Sequence, residues 1–167
     1  VGLINKSTKA SIDISADVNA NANVQVVANS SEDVLSISGA AGLGGTENLA
    51  GAAGVYLVDV VTQAFVAHDP TDPSAPRAAG TVLAEGSVLV SADEASEFDI
   101  IGGAATIAGN AGIGAAADVT VITKTTEAFI GNEANVTALG NRTGLAVNAG
   151  DFTVGYTGDA KSDGKEV

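Results

Sequence analysis

The chain has 167 residues, 46% hydrophobic but only 4% aromatic, with 7 Lys and Arg against 20 Asp and Glu and a net charge of −13. That balance repels nucleic acid, and no basic stripe interleaved with aromatics offsets it. Cysteine is absent, which excludes a disulfide framework and a thiolate metal site. No run of about 18 apolar residues escapes Gly or polar interruption, so no transmembrane segment is expected.

The opening stretch, VGLINKSTKASI, reads as strand, and it is written again further on. Val1, Leu3, Thr8, Ala10 and Ile12 reappear 54 positions later as Val55, Leu57, Thr62, Ala64 and Val66. Val18 and Ala20 reappear as Val82 and Ala84, now 64 positions later. From there, residues 24–67 lie over 88–131 at a constant offset of 64 with no insertion: Ile37-Ser38-Gly39-Ala40-Ala41 falls on Ile101-Gly102-Gly103-Ala104-Ala105, and Thr62, Ala64, Phe65 on Thr126, Ala128, Phe129. A gapless internal repeat is a statement about architecture before it is one about chemistry.

Within the repeat, Val, Ile and Thr alternate with other residues at a period of two, which is strand patterning. Val55, Leu57, Val119 and Val121 carry the apolar phase on odd numbers, whereas Thr62, Ala64, Val66 and Thr126, Ala128, Ile130 carry it on even ones. This parity switch predicts a corner after Asp59, with Val55 and Val119 pointing inward before it. It also places Phe65 and Phe129 out of register with the inward residues, hence outward, as assembly contacts beside Ala/Gly faces. The alanine content favours helix, but Gly breaks it every few residues in SGAAGLGG and GGAATIAGNAGIGAAA, and no helix is expected.

Between the two parts of the second copy stands HDPTDPSAPR, residues 68–77, an insertion of ten residues that holds all three prolines. Proline cannot donate to a strand ladder, so this is an exposed loop whose removal leaves the fold intact. His68 is the only histidine of the chain and sits beside Asp69 and Asp72, but it has no second histidine with which to build a zinc site, and it reads as a solvated loop residue.

Short strands, corners and a long repeat point to a parallel β-solenoid, since stacked small aliphatic columns need few rings. With about 20 residues per turn, a 64-residue unit holds roughly three coils, and Val55 and Val119 stand about 14 Å apart along the axis. The units lie near 1–23 (partial), 24–87 and 88–150, and 151–167 forms a polar tail or the start of a further coil. An antiparallel β-sandwich also fits strand patterning but gives no reason for the fixed period. Because the chain opens inside a repeat without a capping sequence, it is expected to be a segment of a longer chain or a subunit that stacks end to end.

The segment VTVITKTTEAFIGNEANVTALGN (119–141), preceded by AGNAGIGAAAD, resembles the repeats of filamentous-haemagglutinin-like and leukotoxin-like adhesins of Gram-negative bacteria. VSADEASEFDIIGGAATIAG (90–109) and VVANSSEDVLSISGAAGLGG (26–45) are similar. The resemblance covers roughly residues 1–150 and implies a right-handed parallel β-helix on the cell surface, secreted, with no catalytic motif.

Site candidates are few. Asp93, Glu94 and Glu97 stand in an acidic corner that corresponds to Glu32-Asp33 in the preceding repeat, an arrangement suited either to Ca²⁺ with backbone oxygens or to a solvated edge. GLGG and GIGAAAD lack the strand-then-helix setting of a dinucleotide loop. Asn5, Asn29, Asn135 and Asn141 open glycosylation sequons, of a kind that corner-rich chains also generate by chance. The leading expectation is a non-catalytic structural or adhesive filament segment that associates with itself, with host or surface glycans as further partners and no cofactor. The alternative is a carbohydrate-active β-helix enzyme or a carbohydrate- or surface-binding module, for which the scattered basic residues and rare aromatics are a poor endowment.

Overall fold

The structure, a computed structural model, describes residues 1–67 and 79–147. The inserted loop at 68–77, His68 included, and the 151–167 tail lie outside the described residues. What is described is all β: β1 (Gly2–Ile12), β2 (Asp17–Ala20), β3 (Val24–Gly44), β4 (Glu47–Val66), β5 (Thr81–Ala84), β6 (Val88–Ala108), β7 (Ala111–Ile130) and β8 (Asn135–Ala138). There is no helix among these residues, and so none long and apolar enough to cross a membrane.

Every strand pairing is parallel. β1, β4 and β7 form one sheet, β2, β5 and β8 a second, and β3 and β6 a third. The chain therefore visits the three sheets in a fixed order, β1-β2-β3, then β4-β5-β6, then β7-β8, each strand settling on its counterpart from the previous circuit. This all-β arrangement of parallel sheets is compatible with a β-solenoid.

The register corrects the expected number of coils. Val55 pairs directly with Val119, and Val24 with Val88, so residues one repeat apart are immediate neighbours in a sheet. One repeat is one circuit, and Val55 and Val119 are separated by a single strand spacing of about 4.8 Å rather than 14 Å. The generic 20-residue turn fails because β3, β4, β6 and β7 are 20 or 21 residues long by themselves. The corners absorb the rest. The first circuit passes from β1 to β2 through residues 13–16, and the third from β7 to β8 through 131–134; only the second carries the insert.

The parity switch is also not a corner. β4 is one continuous strand across Asp59, and even-numbered residues face inward along its whole length. Val55, Leu57, Val119 and Val121 lie on the outer face and are 42 to 55% exposed. What changes near residue 58 is which face carries bulk. Towards the three-sheet junction the interior is wide and takes Val58, Val60 and Val66, all buried. Away from it, β3 and β4 run out and back as a two-layered arm, residues 36–44 and 47–58, with 100–108 and 111–122 stacked on them. There, beyond Tyr56, Ile100 and Thr120 at its base, most inward positions are Gly, Ala and Ser, with Asn48, Thr106 and Asp118 among them, and most of the large aliphatics stand outside.

The main apolar core sits where the three sheets meet: Val26, Ala28, Ala64, Val66 and Val82 are buried, with Ile12, Val18, Val88 and Val136 packed around them. Inside the arm the facing strands approach so closely that a Cβ on Gly114 would meet Ala104 at 3.2 Å. A glycine at such a point permits an approach that any other residue obstructs.

Candidate functional site

The interior of this fold is not wholly apolar. At the junction of arm and core, Lys6 of β1 reaches inward to the carboxylate of Glu32 on β3. In the circuits that follow, Lys124 Nζ of β7 lies 2.7 Å from Glu94 Oε2 of β6. Both carboxylate side chains are buried, 6% and 5% exposed, while the lysine side chains stay 39% and 36% exposed. Between the two lysines in the sheet stands Val60, fully buried, since Lys6 pairs with Val60 and Val60 with Lys124.

The two glutamates do not stack. β3 reads Ser30-x-Glu32 and β6 reads Glu94-x-Ser96, so in register Ser30 faces Glu94 and Glu32 faces Ser96. Each carboxylate thus has a hydroxyl beside it in the neighbouring strand, which avoids directly opposed like charges. Ser30 Oγ donates to Glu32 Oε1 at 2.7 Å and Ser96 Oγ to Glu32 Oε2 at 3.1 Å; Ser96 also bonds Glu94. Burial raises the Glu32 pKa, but hydrogen bonding with Lys6, Ser30, Glu94 and Ser96 outweighs it and brings the value from 4.5 down to about 2.

A second interior polar feature lies within the arm. Asp118 of β7 reaches across to β3, where Ser38 Oγ donates to both carboxylate oxygens at 2.8 Å. Its path is cleared by two glycines, its sheet neighbour Gly54 and Ser38's sheet neighbour Gly102. A Cβ on Gly102 would stand 2.9 Å from Asp118 Oδ2. At the corners, Arg142 clips three circuits together: its Nε donates to the Asn21 carbonyl at 3.0 Å and its guanidinium pairs with Glu85.

The expected site residues do not converge. Asp93 and Glu97 lie on odd positions of the outer face, where Ser91 Oγ donates to Asp93 at 2.9 Å, whereas Glu94 points inward to Lys124. Strand alternation thus separates the three carboxylates, and no group of His, Cys, Asp or Glu able to hold a metal exists among the described residues. Phe65 and Phe129 do lie opposite in parity to Ala64 and Val66, and their rings stack with centroids 5.3 Å apart. Phe65, however, is only 5% exposed, so its ring is not free surface. The strand around it is covered on both faces, with Gln63 wholly buried and donating to Glu127 Oε2 at 3.0 Å.

Ser36 and Thr120 leave hydroxyls unpartnered beside a small apolar gap lined also by Ile4, Tyr56 and Phe98. The gap is on the scale of a single water. Lys6 and Lys124 were the hardest functional residues to read from sequence, because their partners lie on strands that meet only after the chain has turned. The signal available was the exchanged Ser-x-Glu and Glu-x-Ser at matched repeat positions. As an arrangement, these groups can fix which strand stacks on which; they present no acid and base to a shared cleft. No family model, no curated protein and no solved structure matches this chain.

Proposed function

We propose that this chain is a stretch of right-handed parallel β-solenoid whose role is mechanical and adhesive: a segment of an extracellular or cell-surface filament, without catalytic activity. The observation that carries the reading is the in-register stacking of three circuits whose interior polar groups are spent on one another. Lys6 pairs with Glu32 and Lys124 with Glu94, and Ser30 and Ser96 donate to Glu32, inside the fold, which suits a device for holding strands in line. Right-handed winding is favoured because parallel strands joined by a crossover adopt that hand almost always. The resemblance of the repeats to filamentous adhesins supplies the cell-surface setting, and glycans are the partner class that such a setting brings.

Growth along one axis is the testable core of this reading. Joining two copies in tandem should lengthen the particle by about 4.8 Å for each added strand layer while its cross-section stays constant. Small-angle X-ray scattering measures both quantities. A cross-section that swells with chain length would overturn the proposal. Incubation with polysaccharides followed by product analysis tests the absence of catalysis, and turnover abolished by replacing one carboxylate would replace this reading with a β-helix enzyme.

A further inference from the structure

The arm turns its large side chains the wrong way for an isolated two-layer sheet. Along each of its four strands the outward residues follow one code, large-small-small-large. β3 shows Ile37, Gly39, Ala41, Leu43, and β6 shows Ile101, Gly103, Ala105, Ile107 in register with it. The opposite outer face repeats the code: Leu49, Gly51, Ala53, Val55 on β4 beside Ile113, Ala115, Ala117, Val119 on β7. All eight large residues are exposed, from 42% at Val55 to 81% at Leu43.

In-register pairing turns the code into relief. Each face has two aliphatic ridges, about 20 Å apart for six residues of strand, with a trough of Gly and Ala between them. Because both faces have the same pitch, a facing copy displaced by about 10 Å seats one of its ridges in the trough and receives one ridge in its own. Dry, interdigitated sheet stacking of this kind is a steric zipper. The charge distribution agrees. On a chain of net charge −13, the outward positions 37–57 and 101–121 carry one ionisable residue, Glu47, at the arm tip. A second copy of so acidic a chain meets the least repulsion there.

We infer that these two faces are lateral docking surfaces for a second copy of this chain, ridge into trough. The inference deepens the filament reading by naming where filaments adhere side by side, and it moves the lateral contact from the buried Phe65 to the arm. Size sets its strength. Two strands by four outward residues give roughly 200 to 250 Å² per face, against about 800 Å² per partner in a stable interface. A chain of three circuits should therefore associate weakly, and added circuits should tighten the pairing.

The test uses the full 167-residue chain. Sedimentation velocity over a concentration series should show reversible self-association that strengthens with salt as repulsion between acidic copies is screened. Ile37→Lys with Ile101→Lys on one face, and Leu49→Lys with Ile113→Lys on the other, should weaken it at least about tenfold while circular dichroism is unchanged. In chains otherwise of natural sequence, Ala41→Cys (trough) mixed with Leu49→Cys (ridge) should form disulfide-linked pairs. Asp33→Cys, on the polar stretch of the same outer surface, should not. A monomer at every concentration with no preferred cross-link, or association indifferent to the lysines, would overturn the inference. So would binding to neutral phosphatidylcholine vesicles that the lysines abolish in the absence of self-association. Any of these results would leave the scattering test of axial growth unaffected.

Discussion

Gly54→Ala should be among the costliest single-methyl additions in this chain, and the reason is Asp118. A Cβ at residue 54 would fall within 3.0 Å of Asp118 Oδ1, closer than Cβ atoms are found, and would press on Tyr56 Cε2 at 3.0 Å from the other side. The carboxylate has to retreat by roughly 1 Å, which is enough to break its bonds from Ser38, now 2.8 Å to each oxygen. Hydrogen bonds to a charged group contribute about 1.5–3 kcal/mol. A loss of about 2–3 kcal/mol follows, seen as a urea midpoint shift or a fall in melting temperature of about 4–12 °C. In an Asp118→Ala background only the Tyr56 contact at 3.0 Å remains, and Gly54→Ala should cost less than about 1 kcal/mol, because the smaller entropy loss of alanine on folding offsets part of that contact. The double-mutant cycle by urea denaturation isolates this coupling. Additive costs in the cycle would refute the argument, since they would mean that Gly54 is not there to admit the carboxylate.

Three further outcomes are expected. Glu32 has its folded pKa depressed from 4.5 to about 2, so its contribution to stability is complete above pH 4.5 and is lost as pH falls through about 2; Lys6→Met should move that loss upward in an acid-unfolding titration followed by circular dichroism. Val66→Ala, at a fully buried position of the core, should cost about 2–3 kcal/mol, whereas Val119→Ala, 55% exposed, should stay within about 0.5 kcal/mol. Deleting 68–77 should change the unfolding free energy by less than about 1 kcal/mol, as urea denaturation measures it, because the β1–β2 and β7–β8 corners make the same passage without it.

The class of fold was legible because alternation and a gapless offset are both consequences of stacking. The pairings of Val24 with Val88 and of Leu3 with Leu57 are the sequence offsets themselves. Their meaning was harder to read. An offset states that two residues occupy equivalent places but not how many layers separate them, and the apparent phase change at Asp59 divides the 20-residue β4 into two shorter alternating stretches. That change arose because hydrophobicity reports where large side chains are, and in the arm they are outside. Ile37 and Leu43 look like core residues on any hydropathy scale. The ion pairs were illegible for another reason. Lys6 and Glu32 are brought together by the turn of the chain through β2 within one circuit, and a spacing of 26 residues has no periodic signature.

The length of each circuit governs how this chain must fold. No strand finds its hydrogen-bonded neighbour until the polypeptide has travelled 54 or 64 residues further, as Gly2 waits for Tyr56 and Val24 for Val88. Contacts this distant in sequence make folding slow, because loop closure has to be met before any pairing rewards it. The first circuit is therefore the kinetic bottleneck, since β1 and β3 have nothing to pair with while they form. Later circuits need no such search. Each is laid on an edge already in place, with Glu94 and Ser96 offered the reciprocal positions of Ser30 and Glu32 as a guide to register. Refolding rates should accordingly show a lag for the isolated chain that a preformed edge removes, which makes the fold a template for its own extension.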